Sequence, residues 1–460
     1  MNITSFTNLS LKKELLTNLE ELGFSSMTPI QSSSLPLILE GRDVIAQAKT
    51  GSGKTAAFGL GVLNSLDVKN TRVQCLILCP TRELVEQVAS EVRRLARMLK
   101  NVKVLTITGG KSEYFQERSL AHGAHIVVGT PGRVLKLCKK NILKLNTANT
   151  LILDEADRML DMGFHEDIME ISSFIPKERQ TNLFSATFPD EIKNLGSKLQ
   201  TDAIMVKVDS EHSVDVIEES FFLLDSHRDK DRALLKVLDV YRPERFIVFC
   251  KTKQITNDVA DFLDENSIYA EAIHGDLVQE ERTEVLTMFS NRSLSGLVAT
   301  DVAARGLDIK DLGLVINFDI PSQPEIYTHR IGRTARAGKT GLAISFYTER
   351  ETYKIDAISE LQNKKIVPSL IDDLAESKNY DLIPEMTTIY ISGGKRDKLR
   401  PGDIVGAIVG ETGLDFKVIG EISISKITTF VAIKSENVDE VILKLNKGKI
   451  KNRNFKVGKV

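Results

Sequence analysis

Asp43-Val44-Ile45-Ala46-Gln47 runs directly into Ala48-Lys49-Thr50-Gly51-Ser52-Gly53-Lys54-Thr55, and a helical pattern follows. The order is a short apolar strand, a bend of small residues, then a helix. Small residues let consecutive backbone N–H groups curl around phosphate oxygens, and the helix N-terminus adds a favourable dipole. In that arrangement Lys54 neutralises the β- and γ-phosphates and the Thr55 hydroxyl holds Mg2+. Ala48 stands where the usual phosphate loop has its first glycine, so a plain flexible turn is the alternative. About a hundred residues on, Leu151-Ile152-Leu153-Asp154-Glu155-Ala156-Asp157 places acids at the end of another apolar run. Ligands of parallel sheets bind at strand C-termini. Asp154 therefore suits Mg2+ through water, and Glu155 suits orientation of an attacking water. The alternative is three acids that begin an exposed loop, which the nearby phosphate loop disfavours.

Around this stretch the chain alternates short apolar runs with amphipathic segments, the rhythm of α/β domains with parallel sheets. The first half has such runs at 43–47, 74–78, 102–106, 126–128 and 150–153; the second has them at 246–250, 296–300, 314–318 and 341–346. A polar, aperiodic link lies at 208–216. A second joint at 366–386 carries Pro368 and Pro384. The last segment reads as strand 388–392, helix 402–410, strands 416–425 and 427–434, helix 436–446 and strand 454–457. That βαββαβ order is frequent in small RNA-binding domains.

With 460 residues, two or three domains are expected. A hydrophobic share of 42% and a charged share of 27% place the chain among soluble globular proteins. No apolar run is long enough to span a membrane, and the start at Met1 has no signal pattern, so a cytoplasmic protein without membrane attachment is expected. Four scattered cysteines read as buried thiols, neither a disulfide framework nor a metal site. The net charge of −2 is unevenly spread: residues 387–460 hold 14 Lys+Arg against 8 Asp+Glu, a net +6, which leaves −8 on the rest. A basic tail on an acidic body suggests a polyanionic partner, with a solvated lysine surface as the alternative.

The motifs, taken in order from about residue 6 to residue 338, resemble the DEAD-box RNA helicases. The resemblance implies two RecA-like parallel-sheet domains in tandem, at 1–207 and 217–365, and RNA-stimulated hydrolysis of ATP with Mg2+. Gly23-Phe24-Ser25-Ser26-Met27-Thr28-Pro29-Ile30-Gln31 is similar to the family's adenine-reading segment, set within 4–32. Gln31 has both a donor and an acceptor for adenine's edge. Phe24 can pack on the ring, and Phe6 matches an isolated upstream aromatic, with a core role as the alternative for both. Pro80-Thr81-Arg82, Gly109-Gly110 and Thr130-Pro131-Gly132-Arg133 resemble RNA-backbone contacts. Ser185 and Thr187, with Asp157 and His329, match positions that couple nucleotide state to strand separation. In the second half, Gln279, Arg282 and Thr300 match RNA-facing positions, and Gly306 and Asp308 match nucleotide-facing ones. Arg333 and Arg336, within His329-Arg330-Ile331-Gly332-Arg333-Thr334-Ala335-Arg336, match arginine fingers for a charge-rich transition state. Family resemblance adds that closure of the two halves pries a duplex apart locally.

The tail, residues 387–460, resembles the RNA-recognition-type (RRM-like) domain of DbpA-type helicases. The resemblance implies a hairpin of large-subunit (23S) ribosomal RNA as target, pre-ribosomal particles as partners and a role in 50S assembly by a monomeric enzyme. The residues that carry it lie in 391–403 and 448–453. Tyr390 and Phe430 sit where stacking aromatics are usual, but Thr428 and Ile433 replace the others. Lys395, Arg396, Lys398 and Arg400 are therefore the expected RNA contacts. The alternative is a protein-docking domain with Tyr390 and Phe430 in its core.

Overall fold

The computed structural model describes residues 5–48, 51–208, 217–304, 312–334, 341–375 and 383–460. The chain divides between residues 212 and 213 into two compact units. The first unit holds a parallel sheet of seven strands: β1 (Val44–Gln47), β2 (Cys75–Leu78), β3 (Val104–Ile107), β4 (Ile126–Gly129), β5 (Thr150–Asp154), β6 (Gln180–Ser185) and β7 (Ile204–Lys207), in the order β3-β4-β2-β5-β6-β1-β7. Strand β2 shows why these runs are apolar throughout. Cys75 and Ile77 join the core on one face, Leu76 and Leu78 the core on the other. A strand covered by helices on both faces has no polar side to show.

The second unit begins with the same architecture. Strands β8 (Ile217–Leu224), β9 (Phe246–Cys250), β10 (Ala270–Ile273), β11 (Gly296–Thr300), β12 (Leu314–Asn317), β13 (Gly341–Thr348) and β14 (Pro368–Leu370) form a second parallel sheet, ordered β10-β11-β9-β12-β13-β8-β14. Counted from its own first strand, this order repeats that of the first sheet. The proline-bearing joint is a departure from the sequence reading, because Pro368–Leu370 pairs with β8. It does so at the sheet edge, where a residue without an N–H is tolerated.

The rest of the second unit is an antiparallel sheet ordered β16-β17-β15-β18, from β15 (Met386–Ile391), β16 (Ile419–Ile424), β17 (Thr429–Lys434) and β18 (Val457–Lys459). Helices Pro401–Thr412 and Val438–Lys447 complete the expected βαββαβ order. Two strand starts lie three residues beyond the expected ones. Asp415 caps a 3-10 turn at Phe416–Val418, which delays β16. A tight turn with Lys451 and Asn452 at positive φ brings Ile450 against Arg453, so the last strand starts at Val457. Ile389, Ile391, Val431 and Ile433 point into the helix-covered core. Thr388, Tyr390, Phe430 and Ala432 alternate with them and take the opposite face.

Candidate nucleotide site and RNA-facing rim

Three neighbouring strands, β5, β6 and β1, bring the nucleotide-site segments together at their C-terminal ends. The Ala48 N–H donates to Ser185 O (3.0 Å), and the chain then bends through Gly51 and Gly53 at positive φ. Gly53 is also crowded, since a Cβ there would stand 2.4 Å from Gln31 Nε2. Lys54 is buried and its Nζ donates to Ala48 O (3.0 Å). Thr55 is half-buried. Ser52 Oγ is buried without a hydrogen-bond partner, which fits a loop built around a ligand's oxygens. Lys49 and Thr50 lie outside the described residues.

Gln31 is 3% exposed, and both ends of its carboxamide are engaged: Thr28 N–H donates to Oε1 (2.9 Å) and Nε2 donates to Gly53 O (3.1 Å). Thr28 Oγ1 donates to Ser52 O (2.7 Å). The segment expected to read adenine is therefore bonded to the phosphate loop. Phe24 is half-buried, edge-on to Phe6 at 6.1 Å with the Arg94 guanidinium 5.3 Å from its ring. Phe6 is 4% exposed within the core, so the structure gives it a packing role.

Asp154 ends β5, fully buried. Burial pushes its carboxyl up to about 6, with Lys54 opposing the rise and Glu155 adding to it. Glu155 follows with a left-handed backbone (φ 54°, ψ 52°) and begins helix Ala156–Asp161. Such a conformation costs a non-glycine residue roughly 1–2 kcal/mol and is typical of functional positions. Its Oε2 lies 2.9 Å from Arg158 Nη1, both side chains being under a tenth exposed. Arg158 was not singled out from the sequence; its i,i+3 spacing on a helix was the available signal. Asp157 Oδ2 accepts from Thr187 N–H and Oγ1 (both 2.9 Å) and Ala186 N–H (3.2 Å). Asp157 N–H donates to Ser185 Oγ (3.3 Å). Burial alone would raise the Asp157 carboxyl, but the hydrogen bonds from Thr187 bring it below its ordinary value.

Among the described residues no group of three His, Cys, Asp or Glu could hold a metal ion. A desolvated carboxylate whose field includes Lys54 of the phosphate loop nevertheless fits Mg2+, which takes one or two protein ligands and the rest from phosphates and water.

The other half of the same sheet, β3-β4-β2, gathers the segments expected to face RNA. Pro80 and Thr81 are buried, and Thr81 caps helix Arg82–Leu95 with its Oγ1 accepting from Leu84 N–H (3.3 Å). The exposed Arg82 guanidinium lies over Gly109 and Gly110. A Cβ on Gly110 (φ 74°) would fall 2.2 Å from its Nη1, so a side chain there would displace the arginine. Arg133 Nη1 donates to Lys111 O and Gln116 Oε1 (3.2 Å each). Thr130 and Pro131 start the helix that carries Gly132 and Arg133. The three segments thus touch one another along a single rim.

In the second sheet, β10-β11-β9 holds the corresponding positions. Arg282 Nη2 donates to Ala303 O (2.8 Å), tying helix Gln279–Ser290, which starts at Gln279, to the turn after Thr300. Arg330, which the sequence reading gave no role, is 3% exposed and holds both Asp301 oxygens (2.6 and 2.8 Å), Asn317 Oδ1 and Asp319 O. His329 is half-buried on the same helix, and Arg333 is buried two residues beyond its end. Gly306, Asp308 and Arg336 lie outside the described residues.

In the tail, Lys395, Arg396, Lys398 and Arg400 are all exposed. The 448–453 turn comes to them, for Lys451 Nζ donates to Lys398 O (2.8 Å) and pairs with Asp403 (3.3 Å). Between that turn and helix Pro401–Thr412 runs a groove of about 290 Å³, floored by Gly402, Gly406 and Gly410 and flanked by Lys449 and Lys451. The opposite sheet face is partly taken. Thr388 and Ala432 are buried there, Asn291 Nδ2 donates to Thr388 Oγ1 (2.8 Å), and that hydroxyl donates to Ser293 Oγ (2.8 Å). Tyr390 and Phe430, paired across β15 and β17, remain half-buried beside this contact.

Residues 28–195 match the DEAD/DEAH box helicase family, 229–338 the helicase conserved C-terminal domain and 388–459 the DbpA RNA binding domain. With two RecA-like sheets whose strand ends carry these segments, the chain belongs to the DEAD-box ATP-dependent RNA helicases, enzymes that couple ATP hydrolysis to RNA. Among them it is of the DbpA type: it is 46% identical over 456 residues to the ATP-dependent RNA helicase DbpA of Escherichia coli (strain K12), with 99% of each chain covered. The DEAD-box ATP-dependent RNA helicase CshA of Geobacillus kaustophilus (strain HTA426) is 42% identical over 390 residues, 84% of this chain and 83% of that one. Among solved structures, S. cerevisiae Dbp5 bound to RNA and ADP BeF3 is 31% identical with a TM-score of 0.73, over 80% of this chain and 96% of that one. Among the described residues no helix is long and apolar enough to cross a membrane.

Proposed function

We propose that this helicase remodels large-subunit (23S) ribosomal RNA during 50S assembly, as a monomer in the cytoplasm, with its tail binding an RNA hairpin. In this reading Lys54, Thr55 and Asp154 hold the nucleotide with Mg2+, and Glu155 orients the attacking water. Arg333 and Arg336 stabilise the transition-state charge. Arg82, Gly109, Gly110 and Arg133 bind RNA backbone, as do Gln279, Arg282 and Thr300. Backbone contacts position an RNA but carry little sequence information. Target choice therefore falls to the tail. The observation that carries the reading is the joining of the tail's two basic segments: Lys451 bonds the backbone of Lys398, so cations at 395–400 and 449–453 form one surface.

The test replaces Lys395, Arg396, Lys398 and Arg400 by glutamine in the full chain. ATP hydrolysis is then measured with hairpins from large-subunit ribosomal RNA and with shuffled hairpins of equal length. The expected result is loss of the preference for the ribosomal hairpin, with hydrolysis at saturating generic RNA retained. An unaltered preference would overturn the reading.

A further inference from the structure

Helix Glu113–Ala121 starts three residues after Gly110 and carries two exposed aromatic side chains on its first turn. Tyr114 is 59% and Phe115 50% exposed, and their rings meet edge to face at 5.6 Å. The Arg118 guanidinium sits 5.8 Å from the Tyr114 ring centre. This turn is held against the rim on two sides. Gln116 Nε2 donates to Thr108 O (2.8 Å) while its Oε1 accepts from Arg133, and Glu113 pairs with Lys136 and Lys140 of the neighbouring helix. The aromatic pair is therefore fixed on a turn bonded to Arg133 and starting three residues after Gly110, over which Arg82 lies, these arginines being the cations assigned above to RNA phosphates.

Two adjacent rings this exposed present a broad aromatic surface to solvent. Aromatic faces next to cations that track a phosphate backbone are the pattern of single-strand binding, because every base has a π-face to stack. An arginine over a ring adds a cation–π partner. We propose that Tyr114 and Phe115 form a stacking platform for one unpaired base of the RNA strand whose phosphates lie along the Arg82–Gly110–Arg133 rim. The inference rests on the rim's assignment to RNA. It adds a base contact to a surface otherwise made of backbone contacts, and it is independent of the tail.

The test uses the full chain and single-stranded oligoribonucleotides, native and with one abasic residue moved through each position. The unaltered protein should lose affinity when the abasic residue falls at one particular position. Replacing both rings by alanine should weaken binding of the native strand about tenfold, as expected for one stacked base. It should abolish the position-specific effect while leaving the salt dependence of binding unchanged, since no phosphate contact is removed. The Tyr114→Leu, Phe115→Leu pair keeps the apolar area without π-faces and should behave like the alanine pair. Leucines that bind as the native rings do, or no position-specific effect in the unaltered protein, would overturn the proposal. So would alanines that bind as the native rings do, and a protein partner would then be the better occupant. Arg82→Ala and Arg133→Ala separate the two readings: they should make the salt dependence shallower. If they leave RNA affinity intact, the rim assignment fails; if they weaken it while the ring variants do not, only the platform fails.

Discussion

Gln31 joins two tasks, because the carboxamide expected to read adenine also donates to Gly53 O in the phosphate loop. Gln31→Ala should therefore do more than relax the choice of ATP over GTP. It should raise the KM of both nucleotides, since Gly53 O loses its donor. Competition kinetics with the two nucleotides check this, and a selectivity change without a common KM rise would limit Gln31 to base reading. Glu155→Gln should keep nucleotide binding and slow RNA-stimulated turnover on the order of 10²-fold or more, the range of a lost general base. Single-turnover hydrolysis measures it. Asp157 concentrates three hydrogen bonds from the 186–187 segment on one buried oxygen. Asp157→Asn should cost about 2 kcal/mol, in the range for hydrogen bonds to a charged group. Because the folded carboxyl titrates below its ordinary value of 3.8, the contribution is fully present above that value and is lost as pH falls through the still lower folded value. The difference in stability between the native chain and Asp157→Asn should thus be constant near neutrality and shrink only below about pH 4. Denaturant titrations across that window check the sign. In the same variant, unwinding per ATP hydrolysed should fall more than ATP binding does.

At the scale of elements, strand ends do the sorting. The order β3-β4-β2-β5-β6-β1 puts the segments proposed to face RNA on one half of a sheet edge and those proposed to face the nucleotide on the other. Strands β2 and β5 pair across the boundary between the halves, so a shift in one half can reach the other through them, and β5–β6 then links Asp154 to Ser185. In the tail, one end of the face open to base stacking in RRM-like domains docks on residues 291–293 of the neighbouring domain. Thr388→Val removes a hydroxyl that accepts from Asn291 and donates to Ser293, leaving buried groups unsatisfied at about 1–3 kcal/mol. Asn291→Leu should destabilise similarly, and the double variant should cost less than the sum, because the two share one interaction. Denaturant unfolding of the full chain supplies the cycle. Hydrogen exchange at β15 and β17 should rise in each single variant, and strict additivity would argue against the contact.

Over the whole molecule, an acidic body of −8 carries a tail of +6. Such a body repels RNA at long range except where arginines line a rim, so the tail should dominate first encounter. Binding of the full chain to large-subunit ribosomal RNA fragments should weaken as salt rises. Substituting glutamine for the four cations at 395–400 should make the log–log slope shallower by about 0.7 to 0.9 for each phosphate no longer neutralised. Titrations at several salt concentrations measure the slope; an unchanged one would place the phosphate-binding cations elsewhere, the 449–453 turn first.

The amino-acid sequence by itself determined the class of enzyme, through motifs that resemble one family, and the order of elements in the tail, and it marked the small-residue bend before Lys54 and the acids at the end of β5. These are local matters: small residues before a helix, an acid after an apolar run and the apolar period need no distant partner to be legible. It left unread β6, β7, β8, β10 and β14, which are short or interrupted by polar residues and are strands because neighbours pair with them. The same is true of individual side chains. Arg82 over Gly110, Arg133 on Lys111 and Gln116, Arg330 on Asp301, and Thr388 between Asn291 and Ser293 join residues far apart in the chain. Which of them meet depends on which strands become neighbours. That is decided by non-local burial of apolar faces, for which no short stretch of sequence carries the information. Phe6 shows the same limit from the other side, since its type allowed either a ring contact with nucleotide or a place in the core, and only the fold shows it buried and edge-on to Phe24.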